Sequence, residues 1–560
     1  MRINERISSF FGLNNLLDPA SADYREGMAY ECTNSRLSKR GLWTGAPTTG
    51  NAITPTTAIT GGTGQRQMTK DGVSTLITGI DVATEGQNGY VYYLNAGGAL
   101  CATTGGTVLQ ADVAAPTILS AAADSSGSSL CRISTGLYYY MLTDYNPLIK
   151  RESLPSYAIE VSFNKETDLD SRVHIATSSA VAAGLTRRVY RSSSTTPTKF
   201  YYLGDMTTTT YDDYRNDGEL TVEYEGRGTV LLDPDFIVSY GSKMLYFKAN
   251  TLWWSSAGRP EEVAQKYTVH FVSGAESQDM TSYPRLENGY GEAKKEIIEL
   301  SGSTITGAIE KDGKLWIFTK CMVGYLVEVN NGEGYVFKVH RRGVGVLSQF
   351  CLQSCEHGVF GFDGQGMWLL DNSNRITRLT DNRVDISTFY VGSPTFTGIW
   401  CPNLNEYWMC NGTIVIPYQA DRKIFVGHYT LTFTAGCSWY DEDGAWGLIG
   451  TDKIVEGTGE VNLTFYLGQT SPTTIKQTIT VEVVQAAAST LTLTVTPLAR
   501  KDMTGTATTT NDTTSAVRCT ADSAGRMVKA QVALASSENG GISTINYRYD
   551  PIEWSPENGR

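Results

Sequence analysis

The segment KDGKLWIFTKCMVGYLVEV at residues 311–329 has apolar residues on both faces of a short hairpin. Leu315 and Ile317 alternate with Trp316 and Phe318. Successive side chains of a strand point to opposite faces, so both faces of this strand are apolar. A sheet with one solvated face would instead alternate apolar with polar residues. Radially stacked sheets bury both faces of each blade between its neighbours, and the pattern therefore predicts a β-propeller.

Similar units, each a strand, a turn and a second strand, recur along the chain. Units that begin at Lys311, Gly358 and Asn405 are spaced by roughly 45 residues, as expected for one four-stranded blade per repeat. Related units occupy residues 89–98 and 242–260. The sequence therefore predicts an all-β protein built around propeller blades.

Helix signals are few, and the clearest is RPEEVAQKY at residues 259–267. Pro260 suits the first turn of a helix, and Glu261 and Glu262 suit its positive end. The pattern predicts a short helix here.

The stretch after residue 111 has a different pattern. SLPSYAIEVSFN and TRRVYRSSSTTPTKFYYLGDMTTTTYDD alternate cleanly between apolar and polar residues, as expected of a small sandwich with one solvated face. The second segment is similar to the final strands of a fibronectin III-like or Ig-like module. The predicted organisation has four parts: residues 1–111, an N-terminal segment with the first propeller strands; 112–222, an inserted Ig- or fibronectin III-like β-sandwich; 223–456, propeller blades; and 457–560, a C-terminal β region that closes the propeller.

Composition and charge restrict the class of protein. The formal net charge is −12, from 46 basic and 58 acidic residues, and the short RLSKR at residues 36–40 is the single basic run that stands out. A sequence-reading nucleic-acid binder normally shows a basic patch or stripe, whereas an acidic surface repels DNA and lets it pass without sticking. No run approaches the roughly 20 apolar residues of a membrane span.

Two clusters invite a metal-site hypothesis. CLQSCEH places Cys351, Cys355 and His357 close together in sequence, but on a strand the two cysteines would lie roughly 13 Å apart, too far to share a zinc ion. We expect buried, reduced thiols instead. SWYDEDGAWG resembles the start of a calcium loop without its later ligands, and Asp-Gly is also a strong hairpin-turn signal. We therefore expect no metal and no cofactor.

Catalytic signatures are absent from the sequence. It contains neither HExxH, GxSxG nor a P-loop, and its five histidines form no such motif. We therefore expect no catalytic residues and no enzyme activity. Most tryptophans lie in or beside predicted strands and suit blade cores. Trp439 and Trp446 are the better candidates for exposed loop aromatics that contact a sugar.

Several short motifs, spread over most of the chain, resemble the tail nozzle or tail hub proteins of podovirus-type bacteriophages. The opening FGLNNLLDPASADYREGMAYECTNSRLSKRGLWTGAP is similar to theirs. So are KMLYFKANTLWWSSAGRPEEV, the pair GSTITGAIEKDGKLWIFTKCMVGYL and RRGVGVLSQFCLQSCEHGVFGFDGQGMWLL, and AGRMVKAQVALASSENGGISTINYRYDP.

This resemblance implies a structural virion protein that is assembled in the host cytoplasm. It implies a homo-oligomer, a hexameric ring, that forms the distal DNA channel and retains and then releases the genome during ejection. The implied partners are a tail adaptor ring, tail fibres or a needle, and genomic DNA that passes through the lumen without specific binding. Which loops line the channel or form its gate does not follow from the sequence. The alternative is a carbohydrate- or receptor-binding β-propeller.

Overall fold

The computed structural model describes residues 113–456 apart from short gaps and, outside that range, mainly strands between residues 3 and 110 and between 461 and 551. The gaps within 113–456 are residues 114, 127–130, 149–150, 166–170, 196–198, 225–232, 265–266, 273–278, 283–284, 287–288, 291, 301, 330–333, 382, 385, 387–395, 432, 434–435 and 442–443.

The described residues are almost entirely β-structure, and their helical elements are short 3-10 turns such as Asp217–Glu219, Ile298–Leu300 and Gln349–Cys351. Five short strands come first: β1 (Ile3–Ile7), β2 (Glu31–Thr33), β3 (Ser35–Leu37), β4 (Trp43–Gly45) and β5 (Thr48–Ala52). Blade 1 contains β6 (Thr57–Ile59), β7 (Gly64–Lys70) and β8 (Val73–Gly79), and blade 2 contains β9 (Asp81–Glu85), β10 (Val91–Leu94), β11 (Leu100–Thr103) and β12 (Val108–Gln110).

A β-sandwich is inserted between blades 2 and 3. Its strands are β13 (Ile118–Asp124), β14 (Gly136–Asn146), β15 (Arg151–Glu152), β16 (Ala158–Phe163), β17 (Arg172–Thr177), β18 (Thr186–Ser192), β19 (Phe200–Met206) and β20 (Thr210–Asp213). One sheet has the order β13-β17-β20, and the other contains β19-β18-β14-β16. The two sheets enclose a core that includes Tyr138, Tyr140, Val173 and Ile175.

After the sandwich, the chain continues with further blades. Blade 3 contains β21 (Phe236–Tyr240), β22 (Lys243–Lys248), β23 (Thr251–Ser256) and β24 (Arg259–Val263). Five strands follow it: β25 (Tyr267–Val272), β26 (Asp279–Ser282), β27 (Arg285–Leu286), β28 (Gly289–Tyr290) and β29 (Lys294–Glu296). Of these, β25 pairs with β16 and so extends the sandwich sheet, whereas β29 pairs with β23 of blade 3.

Blades 4 to 7 follow in order along the chain. Blade 4 is β30 (Ile305–Lys311), β31 (Lys314–Thr319), β32 (Met322–Val329) and β33 (Gly334–Arg342); blade 5 is β34 (Gln353–Cys355), β35 (Gly358–Phe362), β36 (Met367–Asp371) and β37 (Ile376–Arg378). Blade 6 is β38 (Thr397–Cys401), β39 (Glu406–Cys410), β40 (Val415–Gln419) and β41 (Ile424–Phe425); blade 7 is β42 (Gly436–Asp441), β43 (Gly444–Ile449) and β44 (Asp452–Val455), completed by β5. The first strands of blades 4 to 7 begin 48, 44 and 39 residues apart, close to the predicted repeat.

The blades form a closed ring. Contacts run from β42 to β7, from β7 to β9, from β9 to β21 and from β21 to β30, and then through the turn at Gln349–Cys351 to β38 and back to β42. Side chains also tie neighbouring blades together. Gln349 accepts a hydrogen bond from the Ala308 backbone N–H at 2.8 Å and donates one to its carbonyl at 2.9 Å, and Gln353 donates to the carbonyl of Gly398 at 2.9 Å. The predicted fold class, an all-β propeller with an inserted sandwich, is confirmed.

The hairpin at residues 311–329 is buried on both sides. Trp316 and Phe318 belong to a core shared with blade 5, where Phe318 stacks on Trp368 with ring centroids 5.3 Å apart. Leu315 and Ile317 belong to a separate core shared with blade 3. The two faces of one strand therefore pack against two different blades, as the sequence pattern predicts.

The prediction of a helix near residue 260 is wrong, because these residues form strand β24. Pro260, Glu261, Glu262 and Val263 are all buried, and Val263 pairs with Ser255 of β23. Since β24 ends this ladder of blade 3, it can hold a proline without losing a central hydrogen bond. In blade 3, the tertiary contacts of this Glu-rich segment outweigh its local preference for a helix.

The strand that closes the ring differs from the sequence expectation. Blade 7 takes its fourth strand from β5, in which Thr48 and Thr49 pair with Val455 and Ile454. The region expected to close the propeller instead forms β45 (Val461–Gly468), β46 (Ile475–Val484), β47 (Ser489–Pro497), β48 (Gly505–Asn511), β49 (Val517–Ala524), β50 (Met527–Ser536) and β51 (Gly541–Pro551). These strands and β1 to β4 make two sheets, ordered β3-β4-β51-β46-β49 with β1 beside β51, and β2-β45-β50-β47-β48.

Candidate functional site

A cavity of about 350 Å³ lies between blades 5 and 6. The residues that line it come from β35 to β37, from β40 and from the turns beside these strands: His357, Phe360, Leu369, Asp371, Thr377, Arg378, Leu379, Arg383, Tyr418, Ala420 and Lys423. Because adjacent blades diverge toward their outer strands, a wedge between two blades is where a propeller leaves space for such a cavity.

The cavity combines buried apolar side chains with charged ones. Phe360 and Tyr418 are buried, and their ring centroids are 5.9 Å apart. Burial raises the pKa of Tyr418 to about 12, although the charge of Arg383 acts in the opposite direction. Its phenol is therefore neutral at physiological pH and stays a hydrogen-bonding group.

Arg378 is a fixed part of the cavity wall. Its Nη2 donates to Asp363 Oδ2 at 2.6 Å and to the Gly343 carbonyl at 2.7 Å, and a longer hydrogen bond of 3.2 Å reaches Gln365. Arg378 is half-buried and Asp363 is buried. A paired guanidinium of this kind holds its position and keeps little net charge to offer to a ligand.

Arg383 and Lys423 are exposed at the rim of the cavity. Arg383 Nη1 donates to the Lys423 carbonyl at 2.7 Å, which ties the turn before β41 to the segment after β37. Within the described residues, neither cation forms an ion pair. Asp371 is the one carboxylate among the described lining residues, and its Oδ1 accepts backbone N–H groups of Ser373 and Arg375, both at 2.9 Å.

A second polar centre joins the N-terminal strands to blade 6. Arg36 of β3 donates from Nε to Glu406 Oε1 at 3.1 Å, and its Nη1 donates to Glu456 at 2.9 Å. The pKa of Arg36 is raised: burial alone would lower it, but Glu406, Tyr429 and Glu456 together outweigh burial. Gln419 adds a backbone contact, because its amide donates to the Leu37 carbonyl at 2.7 Å. We call Arg36, Glu406, Gln419 and Glu456 the blade-6 latch.

The latch holds its buried carboxylate with further donors. Trp408 Nε1 donates to Glu406 Oε2 at 2.8 Å, and Gln419 donates to Oε1 at 2.9 Å. Tyr429 donates to Oε2 at 3.3 Å. A buried charge costs several kcal/mol unless its partners satisfy it, and here four side chains do so.

The two tryptophans predicted as exposed loop aromatics occupy other environments. Trp439 is only 3% exposed in strand β42, and Trp446 is half-buried in β43. They are directly opposite each other in the β42–β43 pair and share a small core with Cys437 and Leu448. The prediction of an exposed contact at Trp439 is wrong, because this side chain is buried in β42. Trp446 lies in strand β43 rather than in a loop and keeps part of its side chain exposed.

The cysteine cluster is split between different elements. Cys351 is buried in a 3-10 turn, whereas Cys355 is half-buried in β34, and burial raises the pKa of both thiols. His357 lines the cavity and contacts Asn405 through Nε2 at 2.9 Å. Of the acidic residues before Gly444, Asp441 lies at the end of β42, and residues 442–443 lie outside the described residues. Within the described part of the chain, no three potential metal ligands come together.

Sequence reasoning missed the cations of the cavity. Arg378 and Arg383 lie in the short segment NRITRLTDNR, and Lys423 follows in DRK, forty residues after Arg383. Two basic turns one blade apart in the sequence could have predicted this pair of cations, because equivalent positions of adjacent blades lie side by side. Among the described residues, no helix is long and apolar enough to cross a membrane.

No known protein family and no curated protein matches the sequence. Solved structures with some similarity include an exo-β-1,3-galactanase from Phanerochaete chrysosporium, at 8% identity and a TM-score of 0.17, covering 68% of this chain and 94% of that one. A family 43 arabinoxylan arabinofuranohydrolase from Bacillus subtilis has 9% identity and a TM-score of 0.17. The match covers 76% of this chain and 96% of that one. A family 43 protein from Bacillus licheniformis has 9% identity and a TM-score of 0.18. The match covers 76% of this chain and 99% of that one.

The prediction that the chain is not an enzyme is corrected, because the solved structures named above include glycoside hydrolases. With TM-scores below 0.5, these structures assign neither a substrate nor a reaction to this chain.

Proposed function

We propose that the chain is a structural subunit of a ring-shaped tail nozzle or hub in a bacteriophage virion. The ring of subunits would form the distal DNA channel, retain the packaged genome and release it during ejection. The observation that supports this most directly is the way the N-terminal segment is built into the propeller, through β5 in blade 7 and the blade-6 latch.

A nozzle must keep its shape while DNA under pressure passes through it. A propeller closed by a strand from a distant part of the chain cannot open at one blade without breaking a complete strand pairing. The latch adds a buried ion pair that crosses from β3 to β39. Both features favour a rigid subunit, as a ring that holds DNA under pressure requires.

The charge of the chain suits a conduit rather than a DNA-binding surface. With a net charge of −12, its average surface repels the phosphate backbone, so DNA would slide past it. Six subunits in a closed ring leave no unsatisfied subunit interface. The partners would be an adaptor ring above, and fibres or a needle below.

Electron microscopy of the purified chain, with its mass measured by light scattering, tests this proposal. We expect closed rings of six copies and the same ring at the distal end of tail particles. Each subunit interface should bury more than about 1,000 Å². A chain that stays monomeric at high concentration and is absent from tail particles would overturn the proposal.

The cavity between blades 5 and 6 favours a second candidate function, binding of a carbohydrate or another receptor. Its volume of about 350 Å³ lies at the lower end of the range for small-molecule sites. A glycan array distinguishes this function from a purely structural role. Saturable binding that persists at high salt supports it, and binding to no glycan in the array contradicts it.

A further inference from the structure

We infer that the cavity between blades 5 and 6 binds a small saccharide that carries a carboxylate or a phosphate group. This inference rests on the second candidate function and gives its ligand class. It is independent of whether the chain forms a ring.

The size and lining of the cavity suit one or two sugar rings. A cavity of about 350 Å³ excludes a folded protein segment but admits a compact ligand. Leu369 and Ala420 provide apolar surface for the C–H face of a sugar. Thr377 is exposed at the opening and Tyr418 lines the interior, so both hydroxyls are available for sugar hydroxyl groups.

The charges of the lining select an acidic ligand. Arg383 and Lys423 bring two cations to the rim, and neither has a carboxylate partner among the described residues. Arg383 uses Nη1 for the Lys423 carbonyl, which orients the guanidinium and leaves its other donors for a ligand. A guanidinium matches the paired oxygens of a carboxylate or phosphate, and a nearby ammonium adds a point charge.

Other charged groups in the cavity do not cancel this effect. Arg378 and Asp363 neutralise each other in the wall. Asp371 is engaged with the backbone N–H groups of its own turn. A neutral sugar would leave both rim cations without a partner, whereas an acidic one pairs with them as it enters.

Isothermal titration calorimetry on the full chain tests the inference with four ligands: glucose, glucuronate, glucose 6-phosphate and inorganic phosphate. Work at about 0.15 M salt limits long-range attraction to a Debye length of about 8 Å. We expect saturable binding of glucuronate or glucose 6-phosphate at one site per chain, and at least about tenfold weaker binding of glucose and of phosphate alone. The preferred acidic sugar shows whether the site takes a carboxylate or a phosphate.

Three variants assign any binding to the cavity. Arg383→Gln removes the charge but keeps an amide donor for the Lys423 carbonyl. We expect about tenfold weaker ligand binding, because one charge-assisted hydrogen bond to the ligand is lost. Lys423→Asn removes the other charge and suits the backbone there, since Lys423 has φ of 57° and Asn tolerates that conformation. Lys338→Gln removes one exposed charge from β33 of blade 4 and should leave the affinity within about twofold.

Each outcome decides a different point. If glucose binds as tightly as the acidic sugars, the charge selection is wrong while the receptor function stands. If inorganic phosphate binds as tightly as glucose 6-phosphate, or if Lys338→Gln weakens binding as much as Arg383→Gln does, the saccharide site is overturned. If no ligand binds, this inference fails, whereas the second candidate function fails only if the glycan array also shows no binding. The ring proposal is unaffected by either result. Should Arg383→Gln fail to fold, Lys423→Asn carries the same test.

Discussion

Arg36 and Glu406 are separated by 370 residues along the chain, yet the guanidinium Nε donates to the carboxylate across 3.1 Å in the protein interior. The contact fixes the N-terminal strands to blade 6. Replacing Glu406 by Ala leaves Arg36 buried without its main counter-charge, and we expect the free energy of unfolding to fall by about 3–5 kcal/mol. Urea denaturation followed by circular dichroism measures this loss.

The surface pair Lys199–Glu223 is the matched control, because both side chains are about half exposed. Glu223→Ala should change the free energy of unfolding by less than about 1 kcal/mol. The double variant Arg36→Met, Glu406→Leu should recover part of the loss, since it removes both buried charges together. An Ala variant at Glu406 that is as stable as the wild type would show that the latch does not hold the N-terminal strands.

Trp316 tests the double burial of the blade-4 hairpin. Its side chain is 1% exposed in the core shared with blade 5, and Trp316→Ala should cost about 3–5 kcal/mol through lost contacts and a cavity. Val336, on β33 of the same blade, is 40% exposed. Val336→Thr should change stability by no more than about 0.5 kcal/mol. Equal effects at both positions would contradict the radial packing of the blades.

Proline substitution tests the closure of the ring by β5. Thr48 and Thr49 pair with Val455 and Ile454, and in an antiparallel ladder the N–H groups of successive residues point to opposite sides. Proline at one of the two positions must therefore remove a hydrogen bond to β44, whereas at the other the lost N–H faces away from it. We expect the two variants to differ in unfolding free energy by about 1 kcal/mol or more. Two variants with equal stability would indicate that β5 is not paired with blade 7.

The sequence pattern predicts the propeller because double burial has a local signature. Leu315, Trp316, Ile317 and Phe318 are adjacent, so their pattern can be recognised without knowledge of the partner blades. The role of β5 has no such signature, since TTGNA becomes a blade strand only through its pairing with β44, some four hundred residues away in the chain. A local pattern cannot report a partner that distant.

The cavity and the tryptophan pair show the same limit. Trp439 lies near an Asp-Gly signal that marks a turn, but sequence does not show that the strands of the hairpin extend to Trp439 and bury it. Arg383 and Lys423 become neighbours through the stacking of blades 5 and 6. Burial at a blade interface depends on which strand faces which, and this depends on the whole ring.

Glu261 predicts how stability responds to pH. It is buried in β24, where Tyr92 from blade 2 donates a hydrogen bond to it. Burial raises the pKa of this carboxyl above its ordinary value of 4.5, and the opposing effects of Tyr92 and Arg151 do not cancel the rise. Above pH 4.5 the unfolded chain releases this proton while the folded chain still holds it. The folded state then binds more protons than the unfolded state, so the contribution of Glu261 to the free energy of unfolding falls as pH rises through this window.

Glu261→Gln removes this pH dependence but keeps an oxygen that can accept from Tyr92. We expect the variant and the wild type to have similar stability near pH 4, and the variant to become progressively more stable than the wild type as pH rises toward 7. Urea denaturation at a series of pH values measures the difference, and comparing the two proteins at each pH removes the contributions of all other groups that titrate alike in both. Glu223→Gln, at an exposed position, should show a difference from the wild type that stays within about 1 kcal/mol over the same range. A stability difference for Glu261→Gln that shrinks with rising pH would mean that the folded protein favours the charged carboxylate, contrary to its buried position in blade 3.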